Sequence, residues 1–250
     1  MSGAAPACER AAAFVTARGD ALARARAEVL LGLAPRECAL SALDSQDTHA
    51  APDRIRQLLG VCADLRALDA PLVEAACLHL AESQSTDGGW GDPARDAEDE
   101  RLHLTGMLAG QLAKTRFVRP ETLDAAGAFL TERWDPDRVQ GFRWQGIAAF
   151  ACYFANAPHE ESDAVLQWCG RELERGFRER AFDAVSTARV LLHCDASGLP
   201  GGRFESDELV VALMTEQQSD GSWPVAAHAW AADPVERTLD GIVALLRLTR

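Results

Sequence analysis

The sequence predicts an all-α protein, an (α/α)6 barrel, or toroid, of six helical hairpins. Two observations carry this. A Q-x-x-D-G-x-W string occurs twice, as Gln84-Ser-Thr-Asp87-Gly88-Gly-Trp90 and as Gln217-Gln-Ser-Asp220-Gly221-Ser-Trp223. Each copy follows an amphipathic stretch ending Leu-x-x-x-Gln, Leu80 to Gln84 and Leu213 to Gln217. So many matching choices in matching context mark a repeat. The intervals between the strings carry helical patterns, whereas alternating β-branched runs are absent and the Gly/Pro-rich pieces are too short for strands.

Used as a ruler, the string finds a weaker copy at Leu130-Thr-Glu-Arg-Trp134-Asp135-Pro-Asp137, followed by Gly141 and Trp144. Fainter traces lie at Leu40 to Asp44 with Asp47, and at Leu173 to Phe177. Their spacing, about 40 to 50 residues, is that of a two-helix repeat. One helix is expected before each marker, over residues 35–46, 70–84, 120–134, 162–177 and 205–218. A second, more apolar helix is expected after each, over 52–68, 99–115, 144–157, 181–194 and 234–249. An opening pair over 7–18 and 20–34 completes six pairs. Pro120 followed by Glu121, and Ser206-Asp207-Glu208, are helix-start signals. Alternating polar-faced and apolar helices fit two concentric rings with the apolar set inside.

The marker itself has a structural role in such a design. Asp-Gly supplies a reversal that tolerates positive φ, the Asp is placed to cap the following helix, and Gln with Trp seals neighbouring repeats. Neither Gln84 nor Trp90 is therefore a catalytic candidate.

Net charge is -13 over 250 residues, which repels nucleic-acid phosphate and anionic lipid. No Lys/Arg-rich run offsets it, so no nucleic-acid partner is expected. The seven cysteines are scattered and form no C-x-x-C pair. Most fall in helical patterns, where a thiol acts as a small apolar side chain, and this fits a reducing compartment. The Ala-rich start is broken by Glu9, Arg10 and Arg18, unlike the apolar core of a signal peptide. No stretch approaches the roughly 20 apolar residues of a membrane span. A single cytoplasmic domain over residues 1–250 is expected.

The two strong strings resemble the QW motifs of squalene/oxidosqualene cyclases and of class II terpene cyclase β-domains. Protein prenyltransferase β-subunits and complement-type thioester domains share the toroid of that superfamily, and the resemblance implies it over essentially the whole chain. Fold does not select among these functions. The Gly-Cys-Gly-Glu-Gln motif of the thioester domains is absent. Asp240-Gly241-Ile242 resembles one piece of the prenyltransferase zinc site, and His103-Leu-Thr-Gly106-Met-Leu-Ala-Gly110 another. Ile242 stands where that site has a thiolate, and zinc without this soft ligand is held weakly. No metal or cofactor is expected, except magnesium alongside a diphosphate substrate.

Class II cyclases protonate an alkene or epoxide with the middle Asp of D-x-D-D, a motif usually followed by Thr-Ala. Such an acid must keep its proton near neutral pH, which takes a dry pocket and opposing carboxylates. Phe182-Asp183-Ala-Val185-Ser186-Thr187-Ala188-Arg189 is the best match by context, with Val185 at the catalytic position and Ser186 at the last Asp. A second string, Asp96-Ala97-Glu98-Asp99-Glu100, reads D-x-E-D before the inner helix that contains His103 and Thr105. It serves either as a substitute acid or as a solvated acidic loop complementing a helix N-terminus.

The helix after Phe142-Arg143-Trp144-Gln145 also holds Phe150, Tyr153 and Phe154. These rings would stabilise a carbocation or simply fill a helix buried on both sides. Arg143 and Arg189, near inner-helix starts, would meet a diphosphate or carboxylate, or form structural ion pairs. His193-Cys194-Asp195 reads as a helix end, since adjacent helical residues cannot converge on one atom. No phosphate-binding Gly-rich loop, H-E-x-x-H or G-x-S-x-G string is present.

What these residues and the resemblance imply is a small cyclase or isomerase acting on an apolar, terpenoid substrate by acid-initiated chemistry in a central pocket. Glu98, Asp99 or Asp183 would donate the proton. His103, Arg143, Trp144, Phe150, Tyr153, Ser186 and Arg189 would bind the substrate. The alternative is a non-catalytic barrel that has lost the D-x-D-D acid and binds a lipid-like ligand or a partner. A mouth open to water would quench a carbocation, so a homodimer or a separate partner subunit is expected to cover it.

Overall fold

The computed structural model describes residues 3–43, 48–141, 143–203, 205–225 and 233–249. Among them are twelve α-helices and no strand: α1 (Ala4–Arg18), α2 (Ala21–Leu30), α3 (Arg36–Leu40), α4 (Pro52–Asp64), α5 (Pro71–Ser83), α6 (Glu98–Leu112), α7 (Pro120–Glu132), α8 (Trp144–Asn156), α9 (Ser162–Arg178), α10 (Ala184–His193), α11 (Ser206–Glu216) and α12 (Pro234–Leu248). Every expected helix is present. α3 is shorter than the 35–46 pattern, because the chain turns after Leu40. The faint marker at Leu40 to Asp44 with Asp47 lies partly, and Phe142 wholly, outside the described residues.

Local chemistry explains the starts. Proline opens α4, α5, α7 and α12, where its missing N–H has no helical acceptor to lose. Asp20, Asp183 and Asp233 cap α2, α10 and α12, their carboxylates accepting from the N–H groups of Ala23, Ser186 and Val235. His193 and Cys194 are the end of α10, and Asp195 turns the chain with φ of 49°.

The chain divides into two compact units. The first comprises residues 1–43, 174–198 and 203–250; the second comprises 44–173 and 199–202. In the second, α4, α6 and α8 are neighbours, with α5 against α4 and α7 against α6. α6 and α8 make its most extensive contact. In the first, α12 packs against α1, α2, α10 and α11, and α11 also touches α1. α6, α8, α10 and α12 are buried over much of their circumference, whereas α5, α7 and α11 bury one face.

The two strong strings fold alike. Trp90 donates through Nε1 to the Leu80 carbonyl at 2.9 Å, and Trp223 to the Leu213 carbonyl at 2.8 Å. Gln84 donates to the carbonyls of Gly88 and Thr122, and Gln217 to those of Gly221 and Ala7. Each Gln thus ties its own loop to the first turn of another marker-side helix, α7 or α1. Gly88 and Gly221 have φ of 85° and 92°. A Cβ on either would also collide with a backbone carbonyl, of Ala125 or Arg10, so glycine is required twice over. The Asp departs from expectation. Asp87 and Asp220 accept from the N–H two residues on, Gly89 and Ser222, and cap the turn itself. Asp87 reaches the next helix, α6, through the Arg101 side chain and not as its cap, which is Ala97.

Six of the cysteines are buried and Cys38 is exposed; none of the seven is in a disulfide. Burial pushes the Cys8 thiol up to about 11 and Cys62 to about 12, which keeps them as inert thiols. No helix among the described residues is long and apolar enough to cross a membrane.

Candidate functional site

In the second unit the acidic string is the start of α6, with Ala97 as N-cap and Glu98, Asp99 and Glu100 in the first turn. Acidic side chains there face the positive end of the helix dipole. The Glu98 and Asp99 side chains are 58% and 72% exposed. Arg138 binds both, at 3.1 Å and 2.8 Å, and Arg133 approaches Glu98 at 3.6 Å. The weak marker copy supplies this Arg138, on a 3-10 turn (Pro136–Arg138) that Asp135 caps through the Asp137 N–H.

These residues enclose a cleft of about 400 Å³, lined by Glu98, Asp99, Asp135, Asp137, Arg138 and Arg143. The fold therefore gathers three of the sequence candidates, Glu98, Asp99 and Arg143. Arg143 precedes α8, is exposed and makes no ion pair among the described residues. Glu98 and Asp99 are exposed and oppose a guanidinium, a setting that does not exclude solvent.

His103, one turn along α6, is 5% exposed. Its Nδ1 lies 3.2 Å from the Gln145 carbonyl, and its ring is 6.0 Å from that of Trp144. Burial, assisted by the Arg56 charge, lowers its pKa to about 4 against opposing effects of Gln145 and Asp53. The imidazole is neutral at pH 7, so Nδ1 carries the proton it gives to Gln145. Between about pH 6.5 and 4 the unfolded chain binds a proton that the folded chain refuses, so stability falls as pH falls through this window. Between pH 6 and 5 the loss is expected to be about 1 kcal/mol. The difference in Tm between pH 7 and pH 5 should shrink in His103→Gln; an unchanged difference would assign the acid sensitivity elsewhere.

Phe150 and Tyr153 are buried; Tyr153 reaches α7, and Phe150 meets Trp134 just beyond its end. The Phe150 ring meets Trp134 edge-on at 5.0 Å. The Tyr153 hydroxyl donates to the Leu123 carbonyl at 3.4 Å and occupies the space beside Gly127. In this unit both rings serve the core, while Trp144 stays half-buried beside His103.

The first unit holds the other candidates. Asp183 caps α10 by accepting from the Ser186 N–H at 2.8 Å, and it is ion-paired with Arg237 of α12. Ser186 is buried, its hydroxyl 3.4 Å from the same carboxylate. Val185 is fully buried in the core with Ile242. Arg189 pairs with Asp240 at 3.3 Å. Asp183 and Ser186 are thus brought together, and Arg189 is engaged by a carboxylate of α12.

Glu216, the last residue of α11, was not legible as a site residue. Its two carboxylate oxygens accept from the Ala184 N–H at 3.1 Å and 2.9 Å. Burial raises its pKa, as does neighbouring Asp183, against the Ala184 N–H and Arg237. One signal was present: the residue before the marker Gln is Ser83 in the first strong copy and Glu216 in the second. Arg237 was missed as well; the signal that could have found it is its place as the fourth residue of α12, as Arg101 is of α6. Both are buried and each holds an Asp, Arg101 binding Asp87 at 2.8 Å.

No family model matches the chain, and no solved structure does. A curated protein, drimenyl diphosphate synthase of Streptomyces showdoensis, is 37% identical over 93 residues. That segment is 36% of this chain and 17% of the Streptomyces protein, so the match spans less than a fifth of its relative's length.

Proposed function

We propose that this chain is a cyclase or isomerase of a terpenoid substrate, built as one (α/α)6 barrel over residues 1–250 and starting its reaction with a proton. The segment similar to a drimenyl diphosphate synthase supports the substrate class. The barrel is supported by the neighbouring α4, α6 and α8 in one unit, and by α12 beside α2 and α10 in the other. The contact of α11 with α1 is what a closed ring requires.

The observation that carries the site is the cleft at the starts of α6 and α8. Glu98 and Asp99 hold Arg138, leaving the Arg143 guanidinium to meet a charged head group such as a diphosphate. Arg143→Ala is expected to raise KM for a prenyl diphosphate about tenfold, the value of one charge-assisted hydrogen bond, with kcat little changed. Product profiling of the purified chain with linear prenyl diphosphates, squalene and its epoxide, with and without magnesium, tests the whole reading. A homodimer or partner subunit covering the reacting centre belongs to the same proposal, and light scattering in solution tests for it.

A second reading has its own observation. Val185 is buried in the core, and Asp183 is spent on Arg237 and a helix cap. A barrel without an acid there binds a lipid-like ligand or a partner without turning it over. No product from any substrate, together with a lipid that co-purifies, would favour it.

A further inference from the structure

The cleft at the starts of α6 and α8 holds two guanidiniums in different states. Arg143 makes no ion pair among the described residues, whereas Arg138 is shared between Glu98 at 3.1 Å and Asp99 at 2.8 Å. Arg138 also differs from Arg101 and Arg237, which are buried and each hold one Asp. Its side chain is 24% exposed, and both of its partners are more than half exposed. An ion pair this open to water is nearly balanced against its two hydrated ions. An anion entering the cleft therefore competes for Arg138 on favourable terms.

Three observations ease that exchange. Asp99 is mostly exposed, so water replaces the cation it loses. Glu98 keeps Arg133, whose Nε lies 3.6 Å away and whose guanidinium is stacked on Phe129 at 3.9 Å. The Arg138 backbone is fixed, because Val139 beside it is fully buried and the Arg138 carbonyl packs where a Cβ on Gly146 of α8 would collide with it. The turn carrying Arg138 is thereby held against the helix that Arg143 precedes, and only the side chain has to swing.

Resting on the reading of a prenyl diphosphate substrate, we propose that Glu98 and Asp99 are placeholders for its head group. They hold Arg138 in the free protein and yield it to a diphosphate, which then lies between the Arg138 and Arg143 guanidiniums. Each guanidinium presents paired N–H groups to phosphate oxygens. The clamp selects a diphosphate over a single phosphate, because a diphosphate has a phosphate for each. The four carboxylates of the lining, Glu98, Asp99, Asp135 and Asp137, all oppose an anion, but only Glu98 and Asp99 also restrain Arg138.

The full chain is titrated with inorganic pyrophosphate and inorganic phosphate by calorimetry at low ionic strength, where exposed charges are least screened. Arg138→Met is expected to weaken pyrophosphate about tenfold and phosphate less. Arg138→Lys, which keeps the charge without the fork, recovers part of the loss. Asp99→Asn and Asp137→Asn each remove one charge from the lining, but only the first loosens Arg138. Asp99→Asn should therefore bind pyrophosphate about threefold more tightly than Asp137→Asn, the scale of an exposed ion pair. Adding Arg138→Met should abolish that difference; if this variant unfolds, the two Asn variants still decide. Equal affinity in those two, Asp99→Asn weaker than the wild type, or wild-type affinity in Arg138→Met overturns the exchange and leaves the terpenoid reading intact, with Arg143 alone on the head group. A prenyl diphosphate and ADP titrated in parallel identify the source of the diphosphate, and tighter ADP supports the clamp while overturning the prenyl assignment. The expected pattern without turnover of any prenyl diphosphate overturns the terpenoid reading and leaves the clamp standing.

Discussion

Gly106→Ala and Gly110→Ala should each destabilise the protein, although replacing glycine within a helix by alanine ordinarily stabilises it by about 1 kcal/mol. A Cβ on Gly106 would lie 2.6 Å from the Ala149 carbonyl oxygen of α8, and one on Gly110 would press on the Cys152 carbonyl even more closely. These obstacles are backbone, so no rotamer change relieves them and the two helices must separate. Overpacking of this kind costs about 1–3 kcal/mol, which outweighs the gain in helix propensity. Gly106→Val and Gly110→Val should exceed that range. Urea unfolding followed by circular dichroism at 222 nm reads the effect directly. An alanine variant more stable than wild type would mean that α6 and α8 do not cross where the structure has them.

Trp90→Ala and Trp223→Ala are each expected to cost about 3–5 kcal/mol, the range for deleting a large buried ring. Both rings are almost wholly buried, at 0% and 1% exposure. Deletion also leaves the Leu80 or Leu213 carbonyl without its indole donor. The two losses should match within about 1 kcal/mol, because the two sites share their hydrogen bonds and their packing. Trp144→Ala should cost far less, since Trp144 is only half-buried. A Trp90 or Trp223 variant that unfolds no earlier than Trp144→Ala would remove the sealing role from the repeat signature.

The contrast among these tryptophans shows how far the sequence could be read. In the weak copy the Trp comes later after its Asp than in the strong copies, and Trp144 starts α8 beside His103, as the helical pattern over 144–157 expects. The strong copies share Gln, Asp, Gly and Trp, and their folded geometry is nearly the same. The weak copy shares only the leading Leu and scattered Asp, Gly and Trp, and its Asp135 instead caps a 3-10 turn. That turn is what presents Arg138 to Glu98 and Asp99, so the departure from the repeat helps build the cleft.

By sequence alone the acidic string fits either a catalytic role or a helix-terminal complement. The structure makes Glu98, Asp99 and Glu100 the first turn of α6 and gives two of them Arg138 as a partner. Tyr153 and Phe150 were legible as rings on an apolar helix. Which side they faced was not, because α8 is buried nearly all round and its periodicity names no single face.

Helix content, the order of the helices and the marker turns could all be read from the chain alone. They depend on interactions among residues a few positions apart: a proline at a helix start, an Asp accepting from the third N–H, a glycine at positive φ. The pairing of charges could not be read that way. Arg138 finds Glu98, Arg237 finds Asp183 and Glu216 finds Ala184 across tens of residues of sequence. Whether a carboxyl keeps or gives up its proton depends on such neighbours and on lost water, and both exist only after the helices have packed.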